Sequence, residues 1–193
     1  MKKFAIFGGG GHAREVAAHF GKEVTFFVDD KYSTPSLHPV SQFNPSEYLM
    51  MVAVADSKER FKIVSRLPAE TEYFSFIHPS AILLDPKIQI GEGSFVGANC
   101  VLTTNIQIGN HAILNRGNHI GHDCKIGDFF SAMPSAVVGG NVYVGNRVYF
   151  GSCSNVREKT TILDDIIIGM NAAVVKNIFE PGTYVGVPAK KIR

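Results

Sequence analysis

His119, His122, Asp123 and Cys124 fall within six positions of the stretch LNRGNHIGHDCKIGDFF, residues 114–130. Imidazole, carboxylate and thiol are the side chains that move protons, hold metals and attack carbonyls. Three chemistries fit the cluster. As metal ligands, the two histidines would need a third partner, because a catalytic zinc is held by three protein groups and a water. As a covalent site, Cys124 would be the nucleophile and His122 its base. As a proton-transfer site, His122 would be the base, with Asp123 fixing its tautomer and stabilising the imidazolium that forms.

A second group opens the chain. GGGGHA can be read as G-x-G-x-x-A from Gly8 to Ala13, after a strand and opening a helix, with Asp29 ending the next strand. Such glycines let a backbone approach a ligand closely, and a helix N-terminus favours an anion. The pattern satisfies a dinucleotide fingerprint. Only about 76 residues precede the change of pattern described below, too few for both halves of a dinucleotide fold. A nucleotide diphosphate at this loop is the better reading, and a tight structural turn is the plainer one.

The elements that must carry these residues have two different periods. Up to about residue 76 strands and helices alternate. KFAIFG is a strand, HAREVAAHF a helix with Ala13, Val16, Ala17 and Phe20 on one face, and EVTFFVDD and YLMMVAVAD are further strands. SKERFKIVSRL is a helix that Ser57 could cap, and residues 31–47 read as a loop. This alternation predicts a small parallel sheet.

From Leu84 the chain counts in sixes. The first position of each hexad reads Leu84, Ile90, Val96, Leu102, Ile108, Leu114, Ile120, Ile126, Ala132, Val138, Val144, Phe150, Val156, Ile162 and Ile168, all apolar and without a gap. The second position is Gly in nine of these fifteen hexads, which suits a corner that a Cβ would crowd. The fifth position is mostly small and includes Cys100, Asn118 and Cys124. A six-residue unit holds one short strand and a turn, and three units close a triangular coil. The fold class expected is therefore mixed: a small α/β domain, residues 1–76, followed by a parallel β-helix of about five coils, residues 77–193. Cys124 would then point inward, where thiols are usually inert, whereas His122 and Asp123 would stand at a corner. The last hexad position taken every eighteenth residue gives Phe95, Ile113, Ser131, Tyr149 and Ile167. Four of the five are apolar on an outward side, which predicts a stripe buried against a copy of the same prism.

Composition narrows the function. The 193 residues are 45% hydrophobic and 19% charged, ordinary for a globular protein. A net charge of +2 argues against a nucleic-acid surface. The apolar run Phe4 to Phe7 is too short for a leader peptide, and no stretch approaches the roughly 20 residues of a membrane span. Three cysteines, an odd number, suit a reducing cytoplasm.

Hexads of the form aliphatic–Gly–x–x–small–x, closed by AAVVKNIFEPGTYVGVPAKKIR, resemble the left-handed β-helix acyltransferases. IFGGGGHAREV narrows the likeness to the branch with a Rossmann-like half-domain in front, which holds nucleotide-sugar N-acetyltransferases and sialic acid O-acetyltransferases. The resemblance implies a homotrimer with active sites between subunits and acetyl-CoA as co-substrate. It implies His122 as general base with Asp123 beside it, since IGHDCKIG resembles the catalytic stretch of that branch. Gly8, Gly9, Gly10 and His12 would line a nucleotide-sugar diphosphate, with Asp29 and Asp30 near the base, and Asn115 and Ser131 would contact substrate. Many relatives carry a second His where this chain has Ser131. Acetyl-CoA would touch Gly140, Gly151, Ser152, Met170 and Lys190, with Lys190 and Lys191 near its phosphates and a backbone N–H near Gly139 or Gly140 as oxyanion donor. The expected reaction is N-acetylation of a nucleotide-linked amino sugar, such as a 4-amino-4,6-dideoxy sugar, with no resident metal. The alternatives are O-acetylation of a sialic acid, a zinc lyase like the trimeric carbonic anhydrases that share this fold, and a non-catalytic nucleotide-sugar binder.

Overall fold

A computed structural model describes residues 2–193. The first elements are β1 (Lys3–Phe7), α1 (Gly11–Phe20), β2 (Thr25–Val28), β3 (His38–Pro39), β4 (Tyr48–Val52), α2 (Ser57–Arg66) and β5 (Glu72–Tyr73). They form a parallel sheet in the order β3-β2-β1-β4-β5. The central strand β1 alternates its side chains to opposite cores. Ala5 and Phe7 pack with Ile63 and Leu67 below α2, and Ile6 packs with Ala13 and Val16 of α1. Gly21 ends α1 in the left-handed conformation, φ 65°, its N–H on the Ala17 carbonyl at 3.1 Å. The cap of α2 is Asp56, whose Oδ1 accepts the Lys58 and Glu59 N–H groups at 2.9 Å. Ser57, expected in that role, is the first helical residue and turns its hydroxyl to the second half of the chain. The stretch 31–47, expected as loop, contributes the short edge strand β3.

The remainder is a triangular prism, and its first strand, Phe76–Ile77, directly follows the sheet. The first face stacks Phe76–Ile77, Phe95–Val96, Ile113–Leu114, Ser131–Ala132, Tyr149–Phe150 and Ile166–Ile168. The second stacks Ile82–Leu83, Val101–Leu102, His119–Ile120, Val137–Val138, Asn155–Val156 and Ala173–Val174. The third runs from Gln89–Ile90 through Lys125–Ile126 to Thr161–Ile162. The second residue of each pair points inward, and the interior is continuous from Val96 to Val174. Leu84 is a correction. Leu83 pairs with Leu102 and takes the inward slot, leaving Leu84 64% exposed. The corner between Leu83 and Ile90 holds one residue more than later corners, so the count of six slips once.

The corners explain the glycines. A Cβ on Gly121, Gly139 or Gly151 would lie 2.5–2.6 Å from a backbone nitrogen of the next coil. Two positions after each such site the backbone is left-handed, at Asn105, Asp123 and Asn141 among others, with φ between 52° and 59°. The N–H of this left-handed residue donates to the preceding coil, which offsets the roughly 1–2 kcal/mol that such a backbone costs an L-residue.

Of the stripe expected to meet a second prism, Phe95, Ile113 and Ser131 are covered by the chain itself, while Tyr149 and Ile167 are partly exposed. Phe95 and Ile113 pack with Ile6, Ala13, Val16, Met51 and Phe74 of the α/β half. Ser131 is fully buried beneath α2. Alternation put these residues outside the prism correctly, but the parallel sheet and α1 also had an apolar side to cover, and the two satisfy each other. Among the described residues no helix is long and apolar enough to cross a membrane.

Candidate active site

His122 and Asp123 form the edge between the second and third faces, after His119–Ile120 and before Lys125–Ile126. Both neighbouring coils hold this corner. Asp123 N–H donates to Thr104 O at 3.0 Å, and His122 O accepts from Asn141 N–H at 2.7 Å. His122 Nδ1 lies 2.7 Å from Asp123 Oδ2. Asp123 Oδ1 accepts from the Asn105 amide at 2.6 Å. Asn105 was not among the residues singled out from sequence, although it stands eighteen positions before Asp123, one coil earlier at the same edge. Its amide, and then His122, hold the Asp123 carboxyl below the usual carboxylate range. Beside an ionised Asp123, Nδ1 carries the ring proton and Nε2 is left with a lone pair.

Nε2 lies against Gly140, one coil on, where an added Cβ would be only 2.6 Å from it. Gly139 N–H is committed to Val156 O at 2.9 Å. Gly140 N–H has no partner among the described residues. At the edge between the third and first faces the equivalent N–H groups are capped one coil on, Asn110 by Asp128, Asp128 by Asn146 and Asn146 by Asp164, at 2.7–2.9 Å. The His122 edge therefore pairs a half-exposed imidazole with an unfilled backbone donor.

The competing chemistries find less support. Cys124 is buried, its Sγ is directed at Gly139 O at 3.1 Å, and burial pushes its thiol pKa up. His119 points outward from the second face. No group of three His, Cys, Asp or Glu residues among those described could hold a metal ion.

The expected cofactor residues divide between two edges. Gly140 shares the His122 edge, whereas Gly151, Ser152 and Met170 lie on the edge between the first and second faces, Met170 being 72% exposed. Lys190 lines a cavity of about 370 Å³ with Lys176, Asn177, Tyr184, Pro188 and Lys191. Lys176 and Asn177 continue the His122 edge three coils further along.

The expected nucleotide residues are also dispersed. Gly8 has φ 138° and no room for a Cβ beside Ala53 O at 3.1 Å, Gly9 lies beneath Leu37, and Gly10 precedes α1 with open space around it. Asp29 and Asp30 line a separate cavity of about 420 Å³ with Ser41, Arg66 and Pro68. Asp29 pairs with Arg66, and Asp30 accepts from Ser41 N–H at 3.0 Å, which lowers its carboxyl pKa.

Three further expected residues are partly or fully enclosed, and one of them, Ser131, is a correction. His12 turns toward the prism, edge-on to Phe95 with centroids 6.0 Å apart, and its Nε2 is buried without a partner, with burial the main cause of its lowered pKa. Asn115 is only 5% exposed, and its Oδ1 caps Arg116 N–H at 2.8 Å on the edge away from its own chain's His122. Ser131 cannot meet substrate. Its Oγ donates to Ala55 O at 2.7 Å and accepts from Ser57 at 3.0 Å and Arg60 at 2.8 Å.

No protein-family model matches the sequence. The GDP-perosamine N-acetyltransferase of Escherichia coli is 27% identical over 176 residues, 82% of this chain and 79% of that protein. The acetyltransferase domain of PglB from Neisseria gonorrhoeae, a solved structure, is 28% identical with TM-score 0.87 and full coverage of both chains. A histidine variant of perosamine N-acetyltransferase from Caulobacter crescentus, solved with CoA and GDP-perosamine, is 28% identical with TM-score 0.89, covering 100% of this chain and 98% of that one. The protein is a left-handed β-helix acyltransferase of the hexapeptide-repeat type. Over its whole length, its build is that of the sugar acetyltransferases with a small α/β domain in front.

Proposed function

We propose that this chain transfers the acetyl group of acetyl-CoA to the amino group of a nucleotide-linked amino sugar, with His122 as general base. The observation that carries the reading is the relay Asn105–Asp123–His122, which leaves Nε2 free beside the unpartnered Gly140 N–H. The amine lone pair attacks the thioester carbon, and His122 Nε2 takes the proton that the amine loses. Gly140 N–H faces the carbonyl oxygen as it gains charge. The C–S bond then breaks, and His122 returns the proton to the departing CoA sulfur. The names of the relatives supply the acceptor class and the acetyl donor.

The donor's course follows the His122 edge. Three coils separate His122 from Lys176, about 14 Å at strand spacing, and the cavity there offers Lys176, Lys190 and Lys191 to phosphates. Residues 1–76 are read as the nucleotide-holding domain and 77–193 as the acyltransferase domain.

The topology supports a homotrimer with shared sites. The α/β domain covers the first face, and His122 stands at the edge opposite that face. In such an assembly a nucleotide held by one copy would meet the His122 of another. The second face, with Ile82, Val101 and Val137 outward, is the side left for that copy. The proposed setting is the cytoplasm, where acetyl-CoA is made and used.

The test is CoA-thiol release with UDP-, dTDP- and GDP-linked 4-amino-4,6-dideoxy sugars. We expect turnover with one of them and a loss of about 10² to 10⁴ in His122→Ala. Turnover of His122→Ala within a few-fold of wild type would overturn the assignment of the base.

A further inference from the structure

Arg60 is the largest fully buried side chain and faces no carboxylate within hydrogen-bond reach. Such a cation needs carbonyl and hydroxyl oxygens instead, and it takes them from both halves of the chain. From the α/β half it reaches Val54 O at 2.5 Å and Ala55 O at 3.2 Å. From the prism it reaches His111 O at 2.9 Å, Phe129 O at 2.9 Å, Phe130 O at 3.0 Å and Ser131 Oγ at 2.8 Å. The rest of α2 follows suit. Ser57 shares its hydroxyl proton between Ser131 Oγ and Val148 O, each at 3.0 Å, Lys58 lies 3.7 Å from Asp165, and Phe61 meets Phe129 edge-on with centroids 5.3 Å apart. Along the same face α1 is held by Ala13 and Val16, packed with Phe95 and Ile113, and by the Glu15–Arg116 pair.

We propose that Arg60 is a positioning residue: it fixes the nucleotide-holding domain on the prism, so that the tethered amine arrives in register with the second copy's catalytic edge. This rests on the acetyl-transfer reading above. Arg60 touches neither acetyl-CoA nor the reacting atoms. Burial lowers its pKa to about 9, which leaves it charged at neutral pH. Its work is geometric, because an acceptor held through its nucleotide reacts quickly only if the holder is rigid. An amino sugar without a nucleotide has no holder to misplace.

The test compares Arg60→Met with wild type on two acceptors, the nucleotide-linked amino sugar and the methyl glycoside of the same sugar. We expect kcat on the nucleotide-linked acceptor to fall at least about tenfold, with the methyl glycoside rate and the KM for acetyl-CoA within roughly twofold of wild type. Damage to folding alone would lower both acceptors by one factor, and that result would overturn the proposal, as would no change in either. If Arg60→Met does not fold, Phe61→Ala loosens the same contact from its 40% exposed side and should shift the ratio of the two rates in the same sense, by about threefold. An unchanged ratio there is equally fatal. Failure of wild type to acetylate either acceptor would instead count against the acetyl-transfer reading.

Discussion

The imidazole of His122 rests on the bare α-carbon of Gly140, so close that a methyl group there would come within 2.6–3.0 Å of three ring atoms. Gly140 has no left-handed backbone to protect, unlike Gly93 or Gly117. Gly140→Ala should therefore fold normally, with melting within a few degrees of wild type, because the half-exposed imidazole can swing aside. Turnover should fall by about 10²-fold, since a base displaced by even 1 Å loses its reach. Paired melting and steady-state measurements check both halves.

In the proposed mechanism Asp123 acts through His122, to which it is hydrogen-bonded, and Asn105 acts through Asp123. Asp123→Asn removes the charge that stabilises the imidazolium and should lower kcat by about 10²-fold, with the KM for acetyl-CoA little changed. Asn105→Ala leaves the carboxylate in place and frees it to rotate, so a loss of roughly tenfold is expected. The double variant should lose no more than Asp123→Asn alone, because both act on one ring.

Ser131→His restores the side chain that the resemblance leads one to expect, and it should do harm. The site has no exposure, and the serine hydroxyl already holds three partners. Overpacking costs about 1–3 kcal/mol, which corresponds to a melting temperature lower by roughly 3–10 °C. Activity per folded molecule should not rise.

His111 predicts an acid-sensitive fold. Stacked on Phe129 with centroids 5.0 Å apart, it has its pKa lowered to about 4 by burial and then by the Arg60 cation, with Asp128 opposing. Unfolded, the same ring takes its proton near 6.5. Between those values the unfolded chain binds more protons, so stability falls as pH drops through the window. The loss from this residue is about 2 kcal/mol between pH 7 and pH 5. His111→Asn keeps a residue suited to the left-handed backbone there, φ 55°. Urea titrations at the two pH values should show a smaller difference for that variant.

The period of six was legible because each inward slot needs an apolar side chain in every turn of the prism. The single slip at Leu84 was not, because Leu83 and Leu84 are chemically alike and only the pairing with Leu102 separates them. The outward stripe of Phe95 and Ile113 was visible, but periodicity states which way a side chain points and says nothing of what covers it. His122 and Asp123 could be found as a pair from adjacent letters. Asn105 needed the eighteen-residue coil to be applied a second time, from the acid backwards, and the freedom of Gly140 N–H depends on which side chain the next coil happens to offer.

Coils stack at one fixed interval, and each corner is tied to those above and below it. The span between the imidazole and the lysine-lined cavity is accordingly quantised, changing only in whole steps of about 4.8 Å. On the proposed course of the donor, the column would be a ruler for the thioester's tail: losing or gaining one rung would demand a donor of different length, and would tie the number of turns to the choice of acyl carrier.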